Sequence, residues 1–229
     1  MADKSAKFLA WEEASRLVWR MPSFKLESAH APRRVCGVDE AGRGPWAGPV
    51  VASAVIFHTA KAIRGVNDSK QLTREAREAL FPRIQERCHV GIGIASVEEI
   101  ELLNIWGATA LAMKRAVLAL PIAPELALID GKIHPRDFPC ETQTVVGGDA
   151  ISHSIAAASI IAKVTRDRIM REHALFYPQY GFDRHVGYGT RQHQDALRTH
   201  GICPLHRKSF SSIRAILNGE TVADEEDAA

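Results

Sequence analysis

Four acidic residues in three separate places have the setting that metal chemistry needs. The stretch VCGVDEAGRGPWAGPVVASAVIF, residues 35–57, runs from an apolar segment into Asp39 and Glu40. It breaks at Gly42-Arg43-Gly44-Pro45 and then resumes as apolar chain. Two further apolar runs stop in the same way, ELALIDGKI at Asp130 and TQTVVGGDA at Asp149. Acids are poor strand residues and are costly to bury unless a cation meets them. Carboxylates converging on one spot repel strongly at low dielectric unless cations sit between them. An oxygen-only donor set, with no clustered Cys or His, suits Mg²⁺ or Mn²⁺. Neighbouring strand residues face opposite ways, so Asp39 and Glu40 can share a site only if the pleat ends there. The glycine break after them is expected to end it and turn both inward.

The elements that must position these acids follow from hydrophobic period and turn chemistry. Two strands flank the acidic glycine turn between residues 35 and 57. In AKAIRGVNDSKQLTREAREALFPRI a loop leads into a helix, with Thr73 as its N-cap and Glu75 and Glu78 near its positive end. HVGIGIASV reads as a third strand. EEIELLNIWGATALAMKRAVLAL reads as a long helix, broken near Gly107 and ended by Pro121. The runs ending at Asp130 and Asp149 are the fourth and fifth strands. Ile151, Ile155, Ala158, Ala162, Thr165 and Ile169 then mark one face of a helix. Strands first and then strands alternating with helices predict an α/β fold, a mixed five-stranded sheet flanked by helices with a helical C-terminal segment. In such folds the strand ends gather the site residues. Residues 1–34 read as a helical appendage, 35–218 as the catalytic domain, and 219–229 as an acidic disordered tail.

Bulk properties exclude several classes. A chain of 229 residues with 46% hydrophobic residues can bury one substantial core. No run approaches the roughly 18 apolar residues of a membrane span, and the N-terminal stretch, interrupted by Glu12 and Glu13, is no secretory signal. The expectation is a cytoplasmic protein, acting as a monomer away from membranes. The four cysteines lie far apart without a CxxC pair, which argues for reduced thiols over a zinc site or disulfide framework. The net charge is +2, but five acids and no bases follow from Glu220 onward. Residues 163–214 hold ten Lys/Arg against four Asp/Glu, the balance of a face that meets a polyanion.

Six blocks in order carry a family resemblance over roughly residues 34–214: GVDEAGRGPWAGPVVASAVI, NDSKQLT, LIDG, GGDAISHSIAAASIIAKVTRDRIM, YPQYGFDRHVGYGT and HRKSF. The chain resembles bacterial ribonuclease HII. The resemblance implies a ribonuclease H-like fold and a metal-dependent endonuclease acting on RNA–DNA hybrids and on ribonucleotide-containing duplex DNA. It implies Mn²⁺ or Mg²⁺ on Asp39, Glu40, Asp130 and Asp149, the acids already singled out. It also implies that the Gly42-Arg43-Gly44 backbone reads the ribose 2′-hydroxyl and that Tyr188 packs on the sugar at the RNA–DNA junction. Glycines permit close backbone approach, and the 2′-hydroxyl separates RNA from DNA.

The mechanism so implied is two-metal phosphodiester hydrolysis 5′ of the ribonucleotide, leaving 3′-hydroxyl and 5′-phosphate ends. Asp39 and Asp130 would be the central ligands. Lys163, Arg166, His206, Arg207, Lys208 and Ser209 are candidates to position phosphates, which set register and not sequence. The chain departs from the family pattern at Gly147, Ile151 and Val186, where lysines are usual, so weaker phosphate contacts are expected. Two alternatives remain: a non-catalytic hybrid-binding module, or a DNA nuclease of the same fold. The four acids speak against the first, and the Gly-Arg-Gly turn with Tyr188 against the second.

Overall fold

The structure, a computed structural model, describes residues 21–132, 134–220 and 222. Five strands form one sheet: β1 Val35–Ala41, β2 Val50–Phe57, β3 Cys88–Ala95, β4 Leu126–Asp130 and β5 Glu141–Val145. Their order across the sheet is β3-β2-β1-β4-β5. The first three pair antiparallel, whereas β1, β4 and β5 run parallel. The carboxyl ends of three adjacent strands therefore open on the same edge of the sheet.

Helices cover both faces. They are α1 Lys25–Ala29, α2 Arg74–Arg87, α3 Val97–Leu118, α4 His153–Phe176, α5 Phe182–His185, α6 Arg191–His200 and α7 Ser211–Leu217. On one face Cys36 and Val38 of β1 and Ala127 and Ile129 of β4 pack with Ala108, Ala112, Met113 and Ala116 of α3. On the other, Val35, Leu126 and Leu128 meet Ile155 of α4, and α2 and α4 share a second apolar cluster around Ile84 and Ile160. From His153 to Val164 every residue of α4 is buried. The first half of α4 is thus enclosed on all sides, the stripe read from the sequence runs on into its partly exposed second half, and Ile151, 46% exposed, lies before the helix. A third cluster, with Trp46, Met170, Tyr180 and Phe182, joins the C-terminal helices to the turn after β1.

The five-stranded mixed sheet matches the sequence expectation, as does the Thr73 cap, whose hydroxyl accepts from the Ala76 N–H. The break in α3 falls at Asn104 and not near Gly107: Asn104 has φ 56° and ψ 174°, and its side chain caps the N–H groups of Trp106 and Gly107. An Asn tolerates this backbone and supplies its own cap. Residues 1–20 of the expected appendage and nearly all of the acidic tail lie outside the described residues. The part of the appendage that is described contains α1, where Glu27 accepts from the hydroxyls of Ser152 and Ser154 and from the Ser154 N–H.

Gly37 sets the depth of α4 against the sheet, because a Cβ there would overlap the backbone of Ser154 and Ile155. Gly37→Ala should destabilise the fold by about 2–3 kcal/mol, read from the urea midpoint at unchanged slope. An unchanged midpoint would show that α4 can retreat freely.

Candidate active site

The pleat decides which acids meet. In β1 the odd residues Val35 and Gly37 face α4, and the even residues Cys36 and Val38 face α3. Asp39 follows the first set and Glu40 the second. Val38 lies opposite Ile129 in the parallel register, so Asp39 and Asp130 come next in step and point the same way. Asp149 reaches them from a single 3₁₀ turn, Gly148–Ala150, that follows β5. Carboxylate oxygens of Asp39, Asp130 and Asp149 lie within 4.8 Å of one another. The Gly148 N–H donates to Asp130 Oδ1 at 2.7 Å, tying that turn to β4.

Glu40 stands apart from this trio. The strand pairing continues to Ala41↔Val51, so the glycine break does not end the pleat early enough to turn both acids to one side. Glu40 Oε1 instead accepts from Arg43 Nη1 at 3.2 Å, and the Arg43 guanidinium lies 4.2 Å from the Trp106 ring centroid. Asp39 Oδ1 accepts from the Glu40 N–H at 2.7 Å.

Packing anions this closely has a clear electrostatic signature. Burial, reinforced by Glu40 and Asp130, pushes the Asp39 carboxyl well above the usual carboxylate range. Burial also raises Glu40, against the opposing pull of Arg43. Asp149 is pushed up to about 6, first by burial and then by Asp130 and Asp68. A cation coupled to these acids is Lys70, in the 3₁₀ turn Ser69–Gln71. Its burial works to lower its pKa, but Asp39, Asp149, Asp68 and Asp130 together outweigh that and raise it. The turn is fixed from behind by the Ser159 hydroxyl on Ser69 Oγ at 2.6 Å and by Arg77 on the Ser69 carbonyl at 2.7 Å. Sequence reasoning passed over Lys70 and Asp68, although both stand in the NDSKQLT block. An oxygen-only trio, in which Asp39 and Asp149 are held above the usual carboxylate range, fits a divalent cation, and Lys70 adds positive charge beside it.

Beside the acids lies a cleft of ≈ 660 Å³ lined by Glu40, Gly42, Arg43, Gly44, Lys70 and Tyr188 among others. Gly42 adopts φ 95°, and a Cβ there would overlap the Arg166 side chain, so only glycine serves. Tyr188, half-buried, sits beside Gly44: a Cβ on Gly44 would lie 3.6 Å from the ring. Lys163 lines the same cleft, 5.8 Å from the Tyr188 ring centroid, and pairs with Asp167 at 3.1 Å.

The other expected phosphate-binding residues are placed differently. Arg207 is 0% exposed, and its guanidinium donates to the carbonyls of Gly42, Arg43, Pro45 and Gly48. Arg166, 1% exposed, donates to those of Ala47 and Pro49. Both hold the turn from within, and Arg166 also forms part of the cleft wall. His206 is buried with Nε2 3.0 Å from His193 Nε2, and burial pushes it down to about 4, so it is neutral near pH 7. The Ser209 hydroxyl donates to Glu101, and Lys208 is exposed on a different groove. Val186 also has its own explanation: at φ 43° it sits in the third apolar cluster, 6% exposed, in a strained backbone next to the Tyr188 loop.

The raised Asp149 gives a pH test with a definite sign. The native state binds this proton more tightly than the unfolded chain does, so its contribution to metal-free stability is lost as pH rises through about 6. Asp149→Asn should therefore raise the metal-free unfolding temperature by several degrees near pH 8 and leave it unchanged near pH 4. It should also abolish the rise that Mn²⁺ or Mg²⁺ gives the wild type. A lower unfolding temperature for the variant near pH 8 would mean that ionised Asp149 is favourably paired.

Comparison with known proteins accords with this geometry. The family model for ribonuclease HII matches residues 36–213. Ribonuclease HII of Parvibaculum lavamentivorans is 52% identical over 195 residues, covering 85% of this chain and 72% of the relative. Among solved structures, ribonuclease H2 from Pyrococcus horikoshii OT3 superposes with a TM-score of 0.68 at 27% identity, covering 81% of this chain and 98% of that one. The Bst ribonuclease HIII solved in complex with Mn²⁺ shares the fold, with a TM-score of 0.69 at 20% identity over 86% of this chain and 73% of that one. With its family match spanning the whole sheet and the acid cluster at its edge, this chain belongs to the ribonuclease HII family and is a ribonuclease H.

Proposed function

We propose that this ribonuclease incises duplex DNA on the 5′ side of a single embedded ribonucleotide and also cuts RNA within RNA–DNA hybrids, leaving 3′-hydroxyl and 5′-phosphate ends. The observation that carries this reading is the juxtaposition of a carboxylate trio with a turn fit to approach a sugar. Glu40 and Lys70 join the two regions of the cleft. The Gly42-Arg43-Gly44 backbone lines the cleft with the N–H groups of Arg43 and Gly44 and the Gly44 carbonyl, and Tyr188 supplies a flat wall beside Gly44.

Asp39, Asp130 and Asp149 would hold the divalent cation, Mn²⁺ or Mg²⁺, with Glu40 completing the set on release from Arg43. When bound, such ions supply an activated water and neutralise charge on the scissile phosphate. The chain's own residues do the rest. The turn admits a ribose and accepts or donates at its 2′-hydroxyl, the group that distinguishes RNA from DNA. The Tyr188 ring packs on the apolar face of the neighbouring sugar, where an added hydroxyl is unwelcome. Lys70 and Lys163 meet phosphate oxygens and fix register without reading sequence. All of these groups come from one chain, in keeping with a monomer.

A labelled DNA duplex carrying one ribonucleotide tests this reading. Incision should require Mn²⁺ or Mg²⁺, fall on the 5′ side of the ribonucleotide, and spare an all-DNA control. Asp39→Asn should lower the rate at least ~10³-fold. Equal cutting of the all-DNA duplex would leave a DNA nuclease of this fold, and tight hybrid binding without cleavage would leave a binding module.

A further inference from the structure

The segment 42–49 is held by an unusual device. Of its eight carbonyls, those of Gly42, Arg43, Pro45 and Gly48 accept from the Arg207 guanidinium at 2.6–2.9 Å. Those of Ala47 and Pro49 accept from Arg166 at 3.1 and 3.0 Å. The Trp46 carbonyl accepts from the Arg207 backbone N–H at 2.9 Å. Only the Gly44 carbonyl lies outside the set. Among the described residues no carboxylate forms an ion pair with either guanidinium, so the direct partners of both buried cations are peptide carbonyls, with Glu101, Asp167 and Tyr188 acting from farther off. Such an arrangement is costly unless every donor is satisfied, and removing the guanidinium would leave the buried carbonyls without a partner.

The peptide plane says what the arrangement achieves. In a trans peptide the C=O and the following N–H point in opposite directions. Drawing the Gly42 and Arg43 carbonyls onto Arg207 therefore turns the N–H groups of Arg43 and Gly44 away from it. Among the described residues neither N–H has a hydrogen-bond partner. Each belongs to a peptide whose oxygen already accepts from a cation, and such polarisation strengthens the N–H as a donor. We propose that Arg207, braced by Arg166, is a positioning residue that presents the Arg43 and Gly44 N–H groups as preset, polarised donors to the substrate ribose. This rests on the ribose-sensing reading of the turn given above. It assigns the HRKSF arginine to substrate discrimination without contact to the substrate, which its complete burial prevents.

Lysine is the discriminating replacement: it keeps the charge but offers a compact ammonium in place of a planar fork, so it cannot span four carbonyls in fixed geometry. The experiment compares wild type with Arg207→Lys and Arg166→Lys in Ca²⁺, measuring affinity for a duplex with one ribonucleotide and for the all-DNA duplex. Wild type should prefer the ribonucleotide. Arg207→Lys should cut that preference ~10-fold or more while all-DNA affinity stays within about twofold, because phosphate contacts are untouched. Amide hydrogen exchange should rise over residues 42–49 and stay unchanged in β1 and β4. A preference that survives in the variant, or affinities that fall equally for both duplexes, would overturn the proposal. Should Arg207→Lys not fold, the same ratio for Arg166→Lys decides, with the same outcomes. A wild type without any preference would refute the ribose-sensing reading itself, and the proposal with it.

Discussion

Confinement of like charge at the ends of parallel strands is the constraint on which the rest of the structure depends. Asp39 and Asp130 are forced together by register: β1 and β4 run side by side, and the two acids come in step near their carboxyl ends, both facing α4. Asp149 is folded back onto them by a turn whose own N–H clamps Asp130. Bringing anions into a buried site without a cation is opposed by both desolvation and mutual repulsion, so the surrounding fold has to be rigid enough to hold them. The close seat of α4 on Gly37, and the apolar packing on both faces of the sheet, provide that rigidity. Strength on the core side thus compensates strain at the edge, the usual exchange between stability and function.

Cations are used in two distinct ways. Lys70 and Lys163 reach the cleft with side chains that still contact open space, so they can meet substrate charge. Arg166 and Arg207 face inward and organise backbone. The basic balance of residues 163–214 is therefore not a uniform polyanion-binding surface. Its two most deeply buried arginines organise the turn after β1, while Arg168, Arg171 and Arg198 pair with Glu78 and Asp195. Lysines at positions 147 and 151 would add exposed positive charge. Position 186 is different, because Val186 contributes to the apolar cluster under the Tyr188 loop.

Much of this was legible in the sequence, for physical reasons. Apolar runs that close on acids pointed to the region where Asp39, Asp130 and Asp149 meet, although only β4 ends on its acid: β1 continues to Ala41, and Asp149 stands in the turn after β5. The five strands and the Thr73 cap followed from period and side-chain chemistry. Glu40 was harder. The glycines after it suggested that the pleat ends, but whether a strand stops one residue earlier depends on its partner, and β2 pairs with it through Ala41. The inward-facing arginines were not legible at all. A guanidinium that binds carbonyls more than 150 residues away leaves no local pattern, and HRKSF reads equally as a surface or a core segment. Lys70 lay in a polar loop whose fold-back onto the acids is likewise a tertiary fact. The kink in α3 was placed at the glycine by convention, when the asparagine three residues earlier carries both the tolerated backbone and the cap.

The central claim is that burial and crowding hold protons on Asp39 and Asp149 in metal-free protein, and that a divalent cation displaces them on binding. Calorimetric titration of Mn²⁺ near pH 6, run in two buffers of different ionisation enthalpy, tests it most directly. Saturable binding accompanied by net proton release, with the release shrinking as pH is raised, is the predicted result. Saturable binding with no proton release, or no binding at all, would contradict it.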